Sequence, residues 1–191
     1  MDSRGHGRKR SSTRPAAGQL AAPLEGVNGW TLLAHPLFLD QLDDLTRRSG
    51  AAHPSGGGQG PSPKLLAHVL DLIFEKIPQD PTNPAYRHGG TLAGVNREWF
   101  RAKTGSGRFR LFFRFSSKSS VIVYAWLNDD QTLRTYDSPT DAYKVFAKML
   151  AGGNPPRDWA ALRGEASDKT AVSRLSRAAA RVRASRTRGG T

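Results

Sequence analysis

"WFRAKTGSGRFRLFFRFSSKSSVIVYAWLN", residues Trp99 to Asn128, is the stretch on which the fold turns. Apolar residues here alternate instead of recurring at helical spacing, the pattern of half-buried strands. The spacing predicts three strands, Trp99–Lys103, Arg108–Ser116 and Ser120–Asn128, joined by "TGSG" and "SKS". Links this short imply an antiparallel meander. In the second strand Phe109, Leu111, Phe113 and Phe115 share one face, and Arg108, Arg110, Phe112 and Arg114 share the other. Arg101 and Lys103 share a parity with Trp99 on the first strand. The expectation is that one face buries the phenylalanines under helices and the other carries arginines and lysines into water. Trp126 is read as core. Between Trp99 and Asn128 there is no Asp or Glu, yet Arg101, Lys103, Arg108, Arg110, Arg114 and Lys118 fall there. Like charges facing across a strand pair are destabilising. A partner that supplies negative charge would account for the pattern.

Upstream, Pro36 can open a helix that puts Leu37, Phe38, Leu42 and Leu45 on one face, with Gly50 as its stop. "AAHPSGGGQGPSP" reads as a flexible insert at 50–63. A second helix, "KLLAHVLDLIFEKI", carries Leu65, Leu66, Val69, Leu72, Ile73 and Ile77 as its stripe and ends at Pro78. A proline-rich connection leads to the sheet. Downstream, "NDDQTLRTYDSPT" is a loop, in which Asp129 and Asp130 pair with arginines. Asp141 or Thr140 caps a third helix, "DAYKVFAKMLAGG". The fold class is therefore α+β: two N-terminal helices on a curved antiparallel sheet of three to four strands, with a further helix after it. Residues 1–25 read as a disordered basic arm, 26–158 as the folded domain, and 159–191 as a basic, disordered tail, within which "RLSRAAARVRASR" could form a frayed helix.

The chain has 191 residues and a formal net charge of +13. Residues 1–25 hold five basic and two acidic side chains, 26–156 fifteen and eleven, and 167–191 seven and one, so the tails hold most of the excess. Such a balance favours a polyanion or an acidic protein partner. There is no cysteine, which excludes disulfides and thiol catalysis and agrees with a cytoplasmic protein. No apolar run nears the roughly 18 residues of a membrane span, and the N-terminus lacks the apolar core of a signal peptide. The histidines at 6, 35, 53, 68 and 88 have no ligand spacing, and acids are scarce near the sheet. A metal centre and a two-carboxylate glycosidase site are therefore not expected, and no cofactor is.

The basic strand face remains. A phosphodiester can be cut without metal where Lys and Arg neutralise charge developing at phosphorus. RNA brings its own nucleophile, the 2′-hydroxyl. A lysine among arginines has its neutral form favoured and can act as a base, whereas arginine clamps phosphate oxygens. Solvated decoration of an exposed face is the plain reading of any one such residue. A module that grips RNA or an acidic partner without cutting is the rival reading of the cluster.

"VNGWTLLAHPLF", "NPAYRHGGTLAG", "REWFRAKTGSGRFRLFFRFS", "AWLNDDQTLRTY" and "TDAYKVFAKMLAGGNPPRDW", in this order from Val27 to Trp159, closely resemble the YhaV family of toxins, in the RelE-like superfamily of type II toxin–antitoxin systems. The resemblance implies a RelE-like fold and an endoribonuclease that cleaves mRNA, free or on the ribosome, and arrests growth. It also implies an antitoxin with an AbrB-like swapped-hairpin fold, and autoregulation through operator DNA bound by the complex. Arg101 and Lys103 match two basic residues on the first sheet strand of RelE-like toxins. Arg110 matches an arginine on the next strand, Arg134 a late arginine, and Tyr143 a nearby tyrosine for which Tyr136 is the alternative. Lys103 is then the leading base, with Arg101 competing for the role because a lysine is common at its position. Arg110 and Arg101 stabilise the scissile phosphate, Arg134 supports the leaving side, and Tyr143 orients a nucleobase or donates to phosphate. Arg108, Arg114, Tyr136 and His88 are candidate RNA contacts. His88 could equally cap its loop.

Overall fold

The computed structural model describes residues 22–50, 63–87, 96–133, 135 and 138–188. The insert at 51–62, His88, Arg134, Tyr136 and the first 21 residues lie outside these.

A hairpin comes first: β1 (Leu24–Val27) and β2 (Trp30–Ala34). Its turn is Asn28-Gly29, both at positive φ, 50° and 82°. Asn-Gly is the preferred pair for a two-residue turn of this kind, because both positions must be left-handed. The sequence reading assigns no strand here and places Leu24 and Glu25 in the disordered arm, whereas both belong to β1. Helix α1 (Pro36–Gly50) follows and buries Phe38, Leu39, Leu42 and Leu45. Helix α2 (Pro63–Asp71) runs through a π-helical turn (Leu72–Lys76) into a last turn, α3 (Ile77–Gln79). Pro78 cannot donate a helical hydrogen bond, and the chain leaves the helix just past it. The Tyr124 hydroxyl donates to the Ile73 carbonyl at the π turn, 2.6 Å away.

Strands β3 (Phe100–Thr104), β4 (Phe109–Ser116) and β5 (Val121–Leu127) lie within a residue of the predicted bounds. Among the described residues the sheet has five strands, in the order β1-β2-β5-β4-β3. It is not purely antiparallel: β2 runs parallel to β5, with Thr31 opposite Val121 and Ala34 opposite Tyr124. The parallel pair places β5 in the middle, and all seven of its residues are buried, as expected of a strand covered on both faces.

One face packs on α1, α2 and the C-terminal helix, with Leu111, Phe113, Ile122 and Tyr124 in the layer. The other face is also covered, and here the expectation fails. Helix α4 (Ala142–Ala151) and α5 (Trp159–Ala166) bury Trp99, Phe112, Val123 and Trp126 against Phe146 and Leu162. The arginine-bearing face is therefore not open to water: Arg110 and Arg114 are buried, at 6% and 7% exposure. A bulge helps to build this second core. Phe112 opposes Trp126 while Phe113 opposes Tyr124, which leaves Ala125 as the extra residue and turns Trp126 onto the Phe112 side. Phe112, Trp126 and Phe146 stack with centroids 4.1 to 5.7 Å apart.

The tail from residue 159 is not disordered. It forms α5 and then α6 (Lys169–Arg188). Net charge concealed an apolar repeat: Ala171, Leu175 and Ala179 fall on one stripe and enter the first core, while Val172 enters the second. Arg174 ties α6 to α1 by donating to Asp40 and Asp43 at 2.7 to 2.9 Å. The folded domain thus extends well beyond residue 158.

Candidate active site at the edge strand

Strand β3 is a sheet edge, and Arg101 and Lys103 lie on its α4 side. Lys103 stands directly opposite Arg110 in the β3–β4 register, and Arg101 opposite Phe112. The "TGSG" hairpin fixes this register. Gly105, Ser106 and Gly107 all adopt positive φ, and a Cβ on Gly105 would lie 2.5 Å from the Phe109 ring.

Tyr143 comes to the same place from the first turn of α4. Asp141 caps that helix, accepting from the Tyr143 amide at 3.0 Å, and also accepts from the Thr135 amide at 2.9 Å. The cap therefore anchors the preceding loop and sets Tyr143 in one step. The Tyr143 ring packs edge-on against Phe112, and its hydroxyl accepts from Arg101 Nε at 2.8 Å. Arg101 also donates to the Ala85 carbonyl at 2.6 Å. That carbonyl is presented by a 3₁₀ turn (Pro84–Tyr86), which Asn83 caps. Arg101 is thereby held at both ends of its guanidinium.

Arg110 Cζ lies 6.0 Å from the centroid of the Tyr143 ring. Its guanidinium donates to the carbonyls of Gly107 and Phe109. Its Nε is buried and has no hydrogen-bond partner among the described residues. The Arg110 amide donates to the Asn128 side chain, which also donates to the Thr132 carbonyl at 2.8 Å. Asn128 so joins the start of β4 to the following loop, a role that nothing in its sequence position signals. Neither Arg101, Lys103 nor Arg110 makes an ion pair among the described residues. Arg101, Lys103, Arg110 and Tyr143 are thus gathered at one corner: Lys103 is exposed, Arg101 partly so, Arg110 and Tyr143 buried. The Tyr143 ring is 5% exposed, and its hydroxyl holds Arg101.

The other candidates lie apart. Arg108 is exposed in the β3–β4 turn. Arg114 sits at the far end of β4, sandwiched between Trp99 and Trp159 at 5.6 and 5.4 Å and donating to Glu98 and to the Arg157 carbonyl. Burial pushes its guanidinium below its ordinary value, and the Glu98 carboxylate opposes that push. Through these contacts Arg114 ties β4 to Trp159 at the start of α5. Glu98 and Trp159, its partners, were not anticipated. Asp130 approaches Arg48 of helix α1 at 3.7 Å rather than a loop arginine, and Asp129 accepts from Gln131 and Thr132. His88, Arg134 and Tyr136 fall outside the described residues.

A family model described as "Toxin with endonuclease activity, of toxin-antitoxin system" matches residues 32–167. The chain belongs to the YhaV family of toxins. It is a toxin with endonuclease activity, part of a toxin–antitoxin system. Toxin YhaV of Escherichia coli O6:H1 is 47% identical over 146 residues, which span 74% of this chain and 95% of that relative. Ribonuclease toxin YhaV of Escherichia coli K12 matches to the same extent. The matched residues carry all four members of the corner cluster. A chain in the crystal structure of the toxin–antitoxin complex RelBE2 from Mycobacterium tuberculosis aligns with a TM-score of 0.35 and 18% identity, over 52% of this chain and 88% of that one. That likeness is too slight to argue from.

Proposed function

We propose that this YhaV-family chain is a metal-independent endoribonuclease of messenger RNA, acting by attack of the 2′-hydroxyl on the adjacent phosphate. The observation that carries this reading is the corner itself: one exposed lysine directly opposite a buried, incompletely partnered arginine, with a second arginine fixed alongside. Lys103 takes the 2′-hydroxyl proton as the O2′–P bond forms. The Arg110 guanidinium, with its unpartnered Nε, and Arg101 stabilise the charge that gathers on the non-bridging oxygens. The P–O5′ bond breaks, Arg134 stabilises the charge on the departing 5′-oxygen, and that oxygen takes its proton from solvent water. The products are a 2′,3′-cyclic phosphate and a 5′-hydroxyl. None of the four corner side chains is a hard-oxygen ligand suited to Mg²⁺, so the electrostatic work falls to the guanidinium groups. DNA, which lacks the 2′-hydroxyl, would be bound but not cut.

The resemblance further supports a RelE-like fold, a cytoplasmic site of action, and an antitoxin with an AbrB-like domain whose complex with this chain binds operator DNA. The decisive experiment incubates the full-length chain with RNA in excess EDTA. Cleavage that persists and leaves cyclic phosphate ends supports the mechanism. Cleavage abolished by EDTA and restored by Mg²⁺, or equal cutting of a 2′-deoxy substrate, would overturn it.

A further inference from the structure

A groove of about 670 Å³ lies between α1, α2 and α6, on the side of the sheet away from the catalytic corner. Its floor is apolar: Leu66 and Leu70 on α2 face Ala178 and Val182 on α6, all only partly buried. Each pair is spaced i, i+4, so the two stripes run along their helices. Arg177 and Arg181, also i, i+4, are exposed along one rim. They make no ion pair among the described residues, whereas the neighbouring Arg174 is held by Asp40 and Asp43. From Arg174 to Ser185 the lining spans about 16 Å of α6 at 1.5 Å per residue.

We propose that this groove receives an amphipathic helix of the cognate antitoxin, about three turns long, with an apolar stripe flanked by Asp or Glu at four-residue spacing. An apolar floor with parallel i, i+4 stripes suits a helix laid lengthwise. Two uncompensated arginines on the rim call for acids. RNA would meet the arginines but leave the apolar floor uncovered. A second copy of this chain, at +13, brings the wrong sign. The segments of this chain outside the described residues do not fit either: 51–62 contains no acid, and 1–21 contains five basic side chains and one acid. The wall formed by α6 lies beyond residues 32–167, so this contact is an addition to what the family match covers. The proposal rests on the existence of an antitoxin, which family membership supplies, and not on the RNA chemistry.

The test titrates the full-length toxin with its purified cognate antitoxin, comparing wild type with Arg177→Glu/Arg181→Glu and with Ala178→Trp, which fills the floor. Both changes lie far from Lys103 and should leave cleavage at saturating RNA unchanged. The charge reversal should weaken antitoxin binding about tenfold or more at low salt, with the difference shrinking as salt rises. In cells it should let the toxin escape neutralisation. Should Ala178→Trp fail to fold, the charge reversal, on exposed positions, decides alone. Unchanged antitoxin affinity in a folded double variant overturns the proposal. So does conversion of a wild-type dimer to monomer, which would give the groove to a second copy, or lost RNA affinity with antitoxin binding intact. If the wild type leaves RNA uncut, the catalytic reading fails while the titration still returns its own answer.

Discussion

Lys103 projects from an edge strand, touches no acid among the described residues, and contributes nothing evident to packing. Lys103→Ala should leave the melting temperature nearly unchanged. Single-turnover cleavage should fall about 100-fold or more, the span expected of a lost general base, with a much smaller loss of RNA affinity. Equal losses in cleavage and binding would reduce Lys103 to a grip on phosphate. A positioning role for Tyr143 is tested by Tyr143→Phe, which keeps the ring on Phe112 and removes the hydroxyl that accepts from Arg101 Nε. Cleavage should drop about fivefold, the scale set by roughly 1 kcal/mol of a lost hydrogen bond, at little cost in stability. A Tyr143→Phe variant with full cleavage would show that Arg101 needs no support. Strand alternation alone placed Arg101, Lys103 and Arg110 on one face. It could not show that Arg110 is buried, because its cover arrives from Tyr143, more than thirty residues later in the sequence. Arg110→Ala must therefore also leave the Gly107 carbonyl without its donor, and its loss of activity has to be read beside a melting curve.

The elements that were legible are those with their own periodicity and stops: α1 between Pro36 and Gly50, α4 between Asp141 and the Gly152-Gly153 pair, and the three strands β3 to β5. Two others were hidden for separate physical reasons. The β1–β2 hairpin is short, with strands of four and five residues, and its Asn-Gly turn was its one clear mark. Helix α6 was masked by charge, since seven basic side chains in residues 167–191 resemble a solvated tail until Ala171, Leu175 and Ala179 are seen to share a stripe, and α5, only eight residues long, was passed over with it. A chain ended at Asp158 should consequently fail to fold, because both cores lose part of their cover; circular dichroism and amide exchange would show it. A stable, cooperatively melting fragment would refute this. The start of α6 also carries a pH signature. Asp168 accepts from the Thr170 amide at 2.8 Å, and that bond holds its carboxyl below the usual range. A depressed carboxyl stabilises the fold above its unfolded pKa, about 3.9, and the benefit is lost as pH falls through the lower folded value. Asp168→Ala should therefore lower the melting temperature at neutral pH, and the gap from wild type should narrow in acid. A gap that stays constant down to pH 2 would remove the cap from the account.

Across the whole molecule the positive charge is apportioned by location. Arg114 and Arg174 are absorbed into structure, the first by Glu98 and two tryptophans, the second by Asp40 and Asp43. Lys103, Arg177 and Arg181 make no ion pair among the described residues and lie on opposite sides of the sheet. The sequence could count these charges but could not sort them, because sorting depends on which acids the fold brings near. The first 21 residues offer a direct test of what the remaining charge does. They hold five basic side chains and one acid, and they lie outside the family match. If they bind phosphates, each neutralised phosphate releases counterions and contributes about 0.7 to the slope of log affinity against log salt for a single strand. Deleting residues 1–21 should then reduce that slope by up to about 3.5, the limit if all five basic residues engage. Affinity should fall mainly at low salt, whereas the cleavage rate at saturating RNA should hold, because no group of the corner has been removed. An unchanged slope would mean that the arm does not touch RNA. A lost rate at saturating RNA, with the melting curve intact, would make the arm part of the catalytic site.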